Sequence, residues 1–313
     1  MRPVAILTDS SSDLSPELQK KYGLNIIIGH ISVPGNDNAD AFLEWKPEER
    51  DAFYAALKKH PDDYKTSPPN VQEFENKLEE LVSAGNDVVV VTISSGISGS
   101  YGFLKAAAAN VLARHPEASV GCVDSLRFGP CVGLIAIYAA KLRDEGKSCA
   151  EITEWLEANK NCFRQSGWLD DLSFVAKKGR ITHAKAFFGT LAGVKPLGEF
   201  GANGLTTVLT KATGAKAAMA TMIAYMEKTI VNPSEQLIFI AQTCRYPQAL
   251  EYKKLIEERI KPREVIIGDV HPYNGINIGP GLMASYYFGT AIAPDLSAEK
   301  ESFADIAASL SKK

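Results

Sequence analysis

The chain has 313 residues, 45% of them hydrophobic and 23% charged, the composition of a folded globular protein rather than a disordered or fibrous one. Its 34 Lys and Arg are scattered among 37 Asp and Glu, for a net charge of -3, which argues against nucleic acid or an anionic membrane surface as a partner. At this length a single core is near its limit, so two domains are expected, with a cleft between them as the natural place for a ligand.

Val4 to Thr8 reads as a short buried strand, and Ser15 with Pro16 opens a helix that ends before Gly23. Asn70-Val-Gln-Glu73 has the form of a capping box, and Val71, Phe74, Leu78, Leu81 and Val82 recur at helical spacing, so a helix is predicted from Asn70 to Ala84. Asp87 to Ile93 is a β-branched run without polar alternation, which suits a strand covered on both faces in a parallel sheet. A further strand, Ser119 to Asp124, leads into an apolar helix around Cys131 to Leu142. The helix from about Cys149 to Asn161 marks the boundary, giving an N-terminal parallel-sheet α/β domain over 1–162 and a C-terminal α/β domain over 163–313. In the second half, Glu199 to Leu205 has the Gly and Asn content of a hairpin turn before a Thr-rich strand, Thr206 to Thr210, so its sheet should be mixed. A helix from about Ala215 to Lys228 follows, then strands Gln236 to Thr243 and Glu264 to Val270 flanking a helix from Gln248 to Ile260.

Five cysteines, Cys122, Cys131, Cys149, Cys162 and Cys244, are odd in number and lack a CxxC pair, so reduced thiols are expected rather than a disulfide framework or a zinc site. The N-terminus runs into its first strand without an apolar leader, and the longest apolar stretch, Cys131 to Ala140, is too short for a membrane span. A cytoplasmic location is the expectation.

Polar loops carry the chemistry. Ser94-Ser-Gly-Ile-Ser-Gly-Ser100 follows the buried strand and precedes a helix starting near Tyr101, a position where hydroxyls and unpaired helix-start N–H groups can hold a carboxylate or phosphate. An ordinary Ser/Gly turn capping its helix explains the same residues, and both readings stay open. The segment has neither the lysine of a P-loop nor the spacing of a nucleophile elbow. Lys65-Thr-Ser-Pro-Pro69 reads as a stiffened loop, and Thr8-Asp-Ser-Ser-Ser-Asp13 as a hydroxyl-rich turn at a strand end. Lys177-Lys-Gly-Arg180 places basic residues at a helix end, and Asn277-Ile-Gly-Pro-Gly281 reads as a tight turn. A rival reading makes Ser95 or Ser98 the nucleophile of a hydrolase or acyl transferase. Of His30, His60, His115, His183 and His271, only His271 follows a predicted strand closely enough to serve as its base.

In this order, TDSSSDLS, KTSPP, ISSGISGSY, VDS, KKGRI, FFGTLAGVKP and NIGPG resemble the DegV family over Val4 to about Gly281. That family includes the fatty-acid-binding subunits of the bacterial fatty acid kinase. The resemblance implies two α/β lobes with a long-chain fatty acid in a slot between them and no cofactor. It also implies no catalysis by this chain alone, because a separate fatty acid kinase subunit would phosphorylate the bound acid. The carboxylate would be held by Thr66 and Ser95, with Ser94, Ser98, Asn277 and Arg180 in support. Two positions depart from the pattern. Asn277 stands where the family commonly has histidine, and Thr213 where it commonly has an arginine tied to the kinase contact. Both departures weaken the kinase coupling more than the lipid binding, which leaves a lipid store or sensor as a further alternative.

Overall fold

The computed structural model describes residues 2–182 and 193–310. His183 and the predicted Phe187-Phe-Gly-Thr-Leu191 motif lie outside them. The chain forms an α/β protein of two compact units, entering each more than once: Met1–Lys46, His60–Lys160 and His271–Ile276 make the first, and Pro47–Lys59, Asn161–Val270 and Asn277–Lys313 the second.

The first unit is built on a parallel sheet of β1 (Val4–Asp9), β2 (Leu24–Ile27), β6 (Asp87–Thr92) and β7 (Val120–Asp124), in the order β2-β1-β6-β7. The valine run earns its place inside, since Val88 to Val91 are all fully buried in β6. Alternate residues of β1 and β6, among them Leu7 and Val90, join Phe74, Leu78, Leu104 and Val111 of helices Val71–Ser83 and Ser100–Arg114 in one apolar layer. Helices Pro130–Asp144 and Cys149–Asn159 also pack on this sheet. A second, antiparallel sheet of β3 (His30–Val33), β4 (Asn36–Asp40) and β5 (Lys65–Ser67) runs in the order β4-β3-β5. Here the structure corrects the expected loop: Lys65-Thr-Ser67 is a strand because β3 pairs with it, Ile31 opposite Thr66 and His30 opposite Ser67. Only the two prolines after it stay outside the ladder.

Local signals held where they were strongest. Ser15 caps helix Pro16–Tyr22 by accepting from the Leu18 N–H, and Asn70 and Glu73 form the reciprocal box at Val71. Asn70→Ala is expected to lower stability by about 1 kcal/mol, read from the midpoint of urea denaturation. An unchanged midpoint would remove the box from the stability account.

The second unit carries a seven-stranded mixed sheet of β8 (Phe163–Leu169), β9 (Ile181–Thr182), β10 (Val194–Phe200), β11 (Thr206–Thr213), β12 (Leu237–Gln242), β13 (Glu264–Asp269) and β14 (Leu282–Phe288), ordered β13-β12-β14-β8-β10-β11-β9. The predicted turn at Glu199 to Leu205 joins β10 and β11 antiparallel, while β12 and β13 are parallel across helix Tyr246–Arg259. Its core sets Trp168, Leu197, Ile240 and Tyr287 of the sheet against Met222, Tyr252 and Phe303 of the helices. The interior is not wholly apolar. Arg164 on β8 is buried between Glu199 and Glu299, donating to Glu299 Oε1 at 2.9 Å and to the Tyr225 hydroxyl at 2.7 Å. The five cysteines are all free thiols. Among the described residues no helix is long and apolar enough to cross a membrane, and no group of His, Cys, Asp and Glu is arranged to hold a metal.

Candidate functional site

In the first unit the chain leaves β1 toward β2 on one side, whereas β6 and β7 lie on the other, so the direction of winding reverses between β1 and β6. Open α/β sheets bind ligands outside the carboxyl ends of the strands at such a switch point. The two loops leaving it are Asp9 to Asp13 and Ile93 to Ser100, the hydroxyl-rich segments of the sequence.

The second loop is held by its own backbone. Ile93 N–H donates to Asp9 Oδ2 at 3.2 Å, Ser94 N–H to the Arg127 carbonyl at 2.9 Å, and Ser95 N–H to Asp124 Oδ1 at 3.0 Å. Gly96 N–H donates to the Ser94 hydroxyl, and Ile97 and Ser98 N–H both to the Ser94 carbonyl. Ser98 accepts from the Ser100 N–H at the start of helix Ser100–Arg114. The loop's N–H groups are thus engaged ahead of the helix start, where the anion-holding donors are expected. From Ile93 to Ser98 each is already given to a protein acceptor, leaving side-chain hydroxyls as the loop's offered donors. Ser95 is exposed, Ser98 half-buried, and Ser94 fully buried as the loop's internal brace. Thr66, half-buried at the centre of β5, belongs to the same unit.

Sequence reasoning missed a buried polar cluster beneath these loops. Asp9 accepts from the N–H and the hydroxyl of Ser11. Asp13, in the left-handed backbone region at φ 52°, accepts from His271 N–H at 3.0 Å, from His271 Nδ1 at 3.3 Å and from Asn274 Nδ2 at 2.6 Å. Burial pushes both carboxyls above the ordinary range, against the hydrogen bonds that favour their ionised forms. His271, the base of the rival hydrolase reading, is 6% exposed, bonded to Asp13 and packed against Trp45. Of the other histidines, His30 and His115 pair with Glu73 and Glu79, and His60 is exposed.

Asn277 and Arg180 belong to the second unit. Asn277 sits in the last turn of helix Pro272–Ile278 rather than in the tight turn, which begins at Gly279. Gly279 has φ 76°, and a Cβ there would meet the Phe174 ring at 2.7 Å, so the turn lies flat on the short helix Ser173–Lys177. That helix ends in the predicted basic cluster, where Arg180 donates back to the Lys178 carbonyl. On the turn's other side Asp170 donates its N–H to the Gly281 carbonyl, and its carboxylate ion pairs with Lys195, at 2.5 Å, and Arg245. Thr213 ends β11, exposed.

Comparison with known proteins places this architecture. A family model described as "Uncharacterised protein, DegV family" matches residues 3–289. A DegV domain-containing protein of Clostridium perfringens is 31% identical over 94% of this chain and its own full length. Among solved structures, a Thermus thermophilus protein described by "Fatty Acid Binding of a DegV family Protein" superposes with a TM-score of 0.81 at 21% identity, covering 93% of this chain and 100% of that one. Bacillus subtilis DegV, described as a fatty acid binding protein, gives a TM-score of 0.77 at 24% identity with the same coverage.

Proposed function

The chain belongs to the DegV family, and on that premise we propose that it binds a long-chain fatty acid, its carboxylate held by the hydroxyls of Thr66 and Ser95 and its tail buried in apolar protein. The observation that carries this reading is the loop after β6, whose backbone donors from Ile93 to Ser98 are engaged within the protein and which offers the Ser95 hydroxyl at the switch point. A carboxylate removed from water needs donors, and hydroxyls supply charge-assisted bonds without a buried counter-charge. Each methylene buried adds about 0.8 kcal/mol before ordering costs, so affinity would come mostly from the tail. In this reading Ser94 and Ser98 shape the loop.

The same loop supports binding over acyl transfer. An oxyanion needs preorganised donors, and the N–H groups around Ser95 are already engaged. Presentation of the acid to a fatty acid kinase subunit in the cytoplasm completes the proposal. Thr213 favours a second reading, a lipid store uncoupled from the kinase, since a hydroxyl cannot form an arginine's bidentate contacts. Retention of the kinase subunit in a pull-down would exclude it.

Denaturing mass spectrometry of lipid extracted from purified, never-delipidated protein tests the binding itself. A stoichiometric fatty acid is the expected result. Protein that is empty and takes up no fatty acid when offered palmitate or oleate would overturn the proposal.

A further inference from the structure

The Asp124 carboxylate ties the Ser95 segment to the loop after β7 through a side chain. Asp124 ends β7 opposite Thr92, the last residue of β6. Its Oδ1 accepts from Ser95 N–H at 3.0 Å and from Leu126 N–H at 3.2 Å. Leu126 is held at φ 52°, a left-handed conformation that a leucine rarely adopts. Such strain persists only where the surroundings over-determine it. They do so here: the Ser125 hydroxyl accepts from the Arg127 N–H, the Arg127 carbonyl takes the Ser94 N–H, and the Arg127 side chain is fully buried. Asp124 is itself 8% exposed, so its bonds are little diluted by water.

We infer that Asp124 is a positioning residue for the Ser95 hydroxyl: by fixing the Ser95 amide it sets the direction in which that hydroxyl meets a ligand carboxylate. The inference rests on the proposed fatty acid binding. Its chemistry is acceptance of two N–H bonds by one oxygen, which an asparagine carbonyl can reproduce and an alanine cannot. A glutamate retains the charge but carries its oxygens one methylene further out.

The experiment measures palmitate binding calorimetrically to delipidated full-length protein. Asp124→Ala is expected to weaken binding about tenfold or more, no more than Ser95→Ala does, and to add no loss once Ser95 is alanine. Asp124→Asn is expected to bind within about threefold of wild type and Asp124→Glu clearly more weakly, an order that decides the matter even if the alanine variant does not fold. Losses from Asp124→Ala and Ser95→Ala that simply add, or an asparagine variant as weak as the glutamate one, would overturn the inference. Hydrogen exchange in ligand-free protein separates it from the binding proposal. Faster exchange of the Ser95 and Leu126 amides in Asp124→Glu, with wild-type protection in Asp124→Asn, is expected whether or not palmitate binds. Unchanged protection in both would refute the positioning role, whereas wild-type protein that binds no fatty acid would refute the binding proposal alone.

Discussion

Arg164→Met is expected to destabilise the protein by about 3–5 kcal/mol, the usual cost of removing one partner from a buried ionic network. Arg164 is 2% exposed, and its guanidinium donates to Glu299, the Tyr225 hydroxyl, the carbonyls of Thr290 and Ala291 and the Thr290 hydroxyl. Burial alone would discourage its charge, but Glu199 first, with Tyr225, Tyr287 and Glu299, outweighs that and holds its pKa above the ordinary arginine value. Glu199 is completely buried and also accepts the N–H groups of Gln165 and Phe200. Methionine fills a similar volume, so the loss reports the stranded carboxylates rather than a cavity. Urea denaturation followed by circular dichroism checks the value. A loss under about 1 kcal/mol would mean that Glu199 and Glu299 find protons or water when the arginine goes.

Ser95→Ala and Thr66→Ala are each expected to weaken fatty acid binding by about 1.5–3 kcal/mol, roughly 10- to 150-fold, the worth of a hydrogen bond to a charged group. The loop's amides cannot step in for a missing Ser95 hydroxyl, because Asp124 and Ser94 already hold them. The loss should also be independent of the tail, whose contribution is made methylene by methylene. Calorimetry with two saturated acids of different length checks both points. Equal factors for the two acids are expected, and variants that bind like wild type would remove these hydroxyls from the site.

Legibility in the sequence followed the range of the forces involved. The Asn70 box, the Ser15 cap and the four valines of β6 are decided within a few residues, and each was readable. β5 was not, because three polar residues ahead of two prolines become a strand only through β3, more than thirty positions earlier. β8 hides for a related reason: Arg164-Gln-Ser166 looks like exposed chain until its partners, Glu199 and Glu299, are in place. At the candidate site the hydroxyl-rich loops announced themselves as composition. What anchors them did not, since Asp124 reaches Ser95 across 29 positions and Asp13 reaches His271 across 258.

That last distance bears on synthesis. A chain leaving the ribosome has made β1, β6 and β7 by residue 124, yet Asp13 must wait for His271 and Asn274 before its carboxylate has its native partners. At about 5–20 residues per second, the gap between residues 160 and 271 lasts on the order of ten seconds. Through that interval the nascent first unit can hold its valine core while the turn beneath Ser95 stays unsettled, so a polypeptide stalled before residue 271 would be collapsed but not finished.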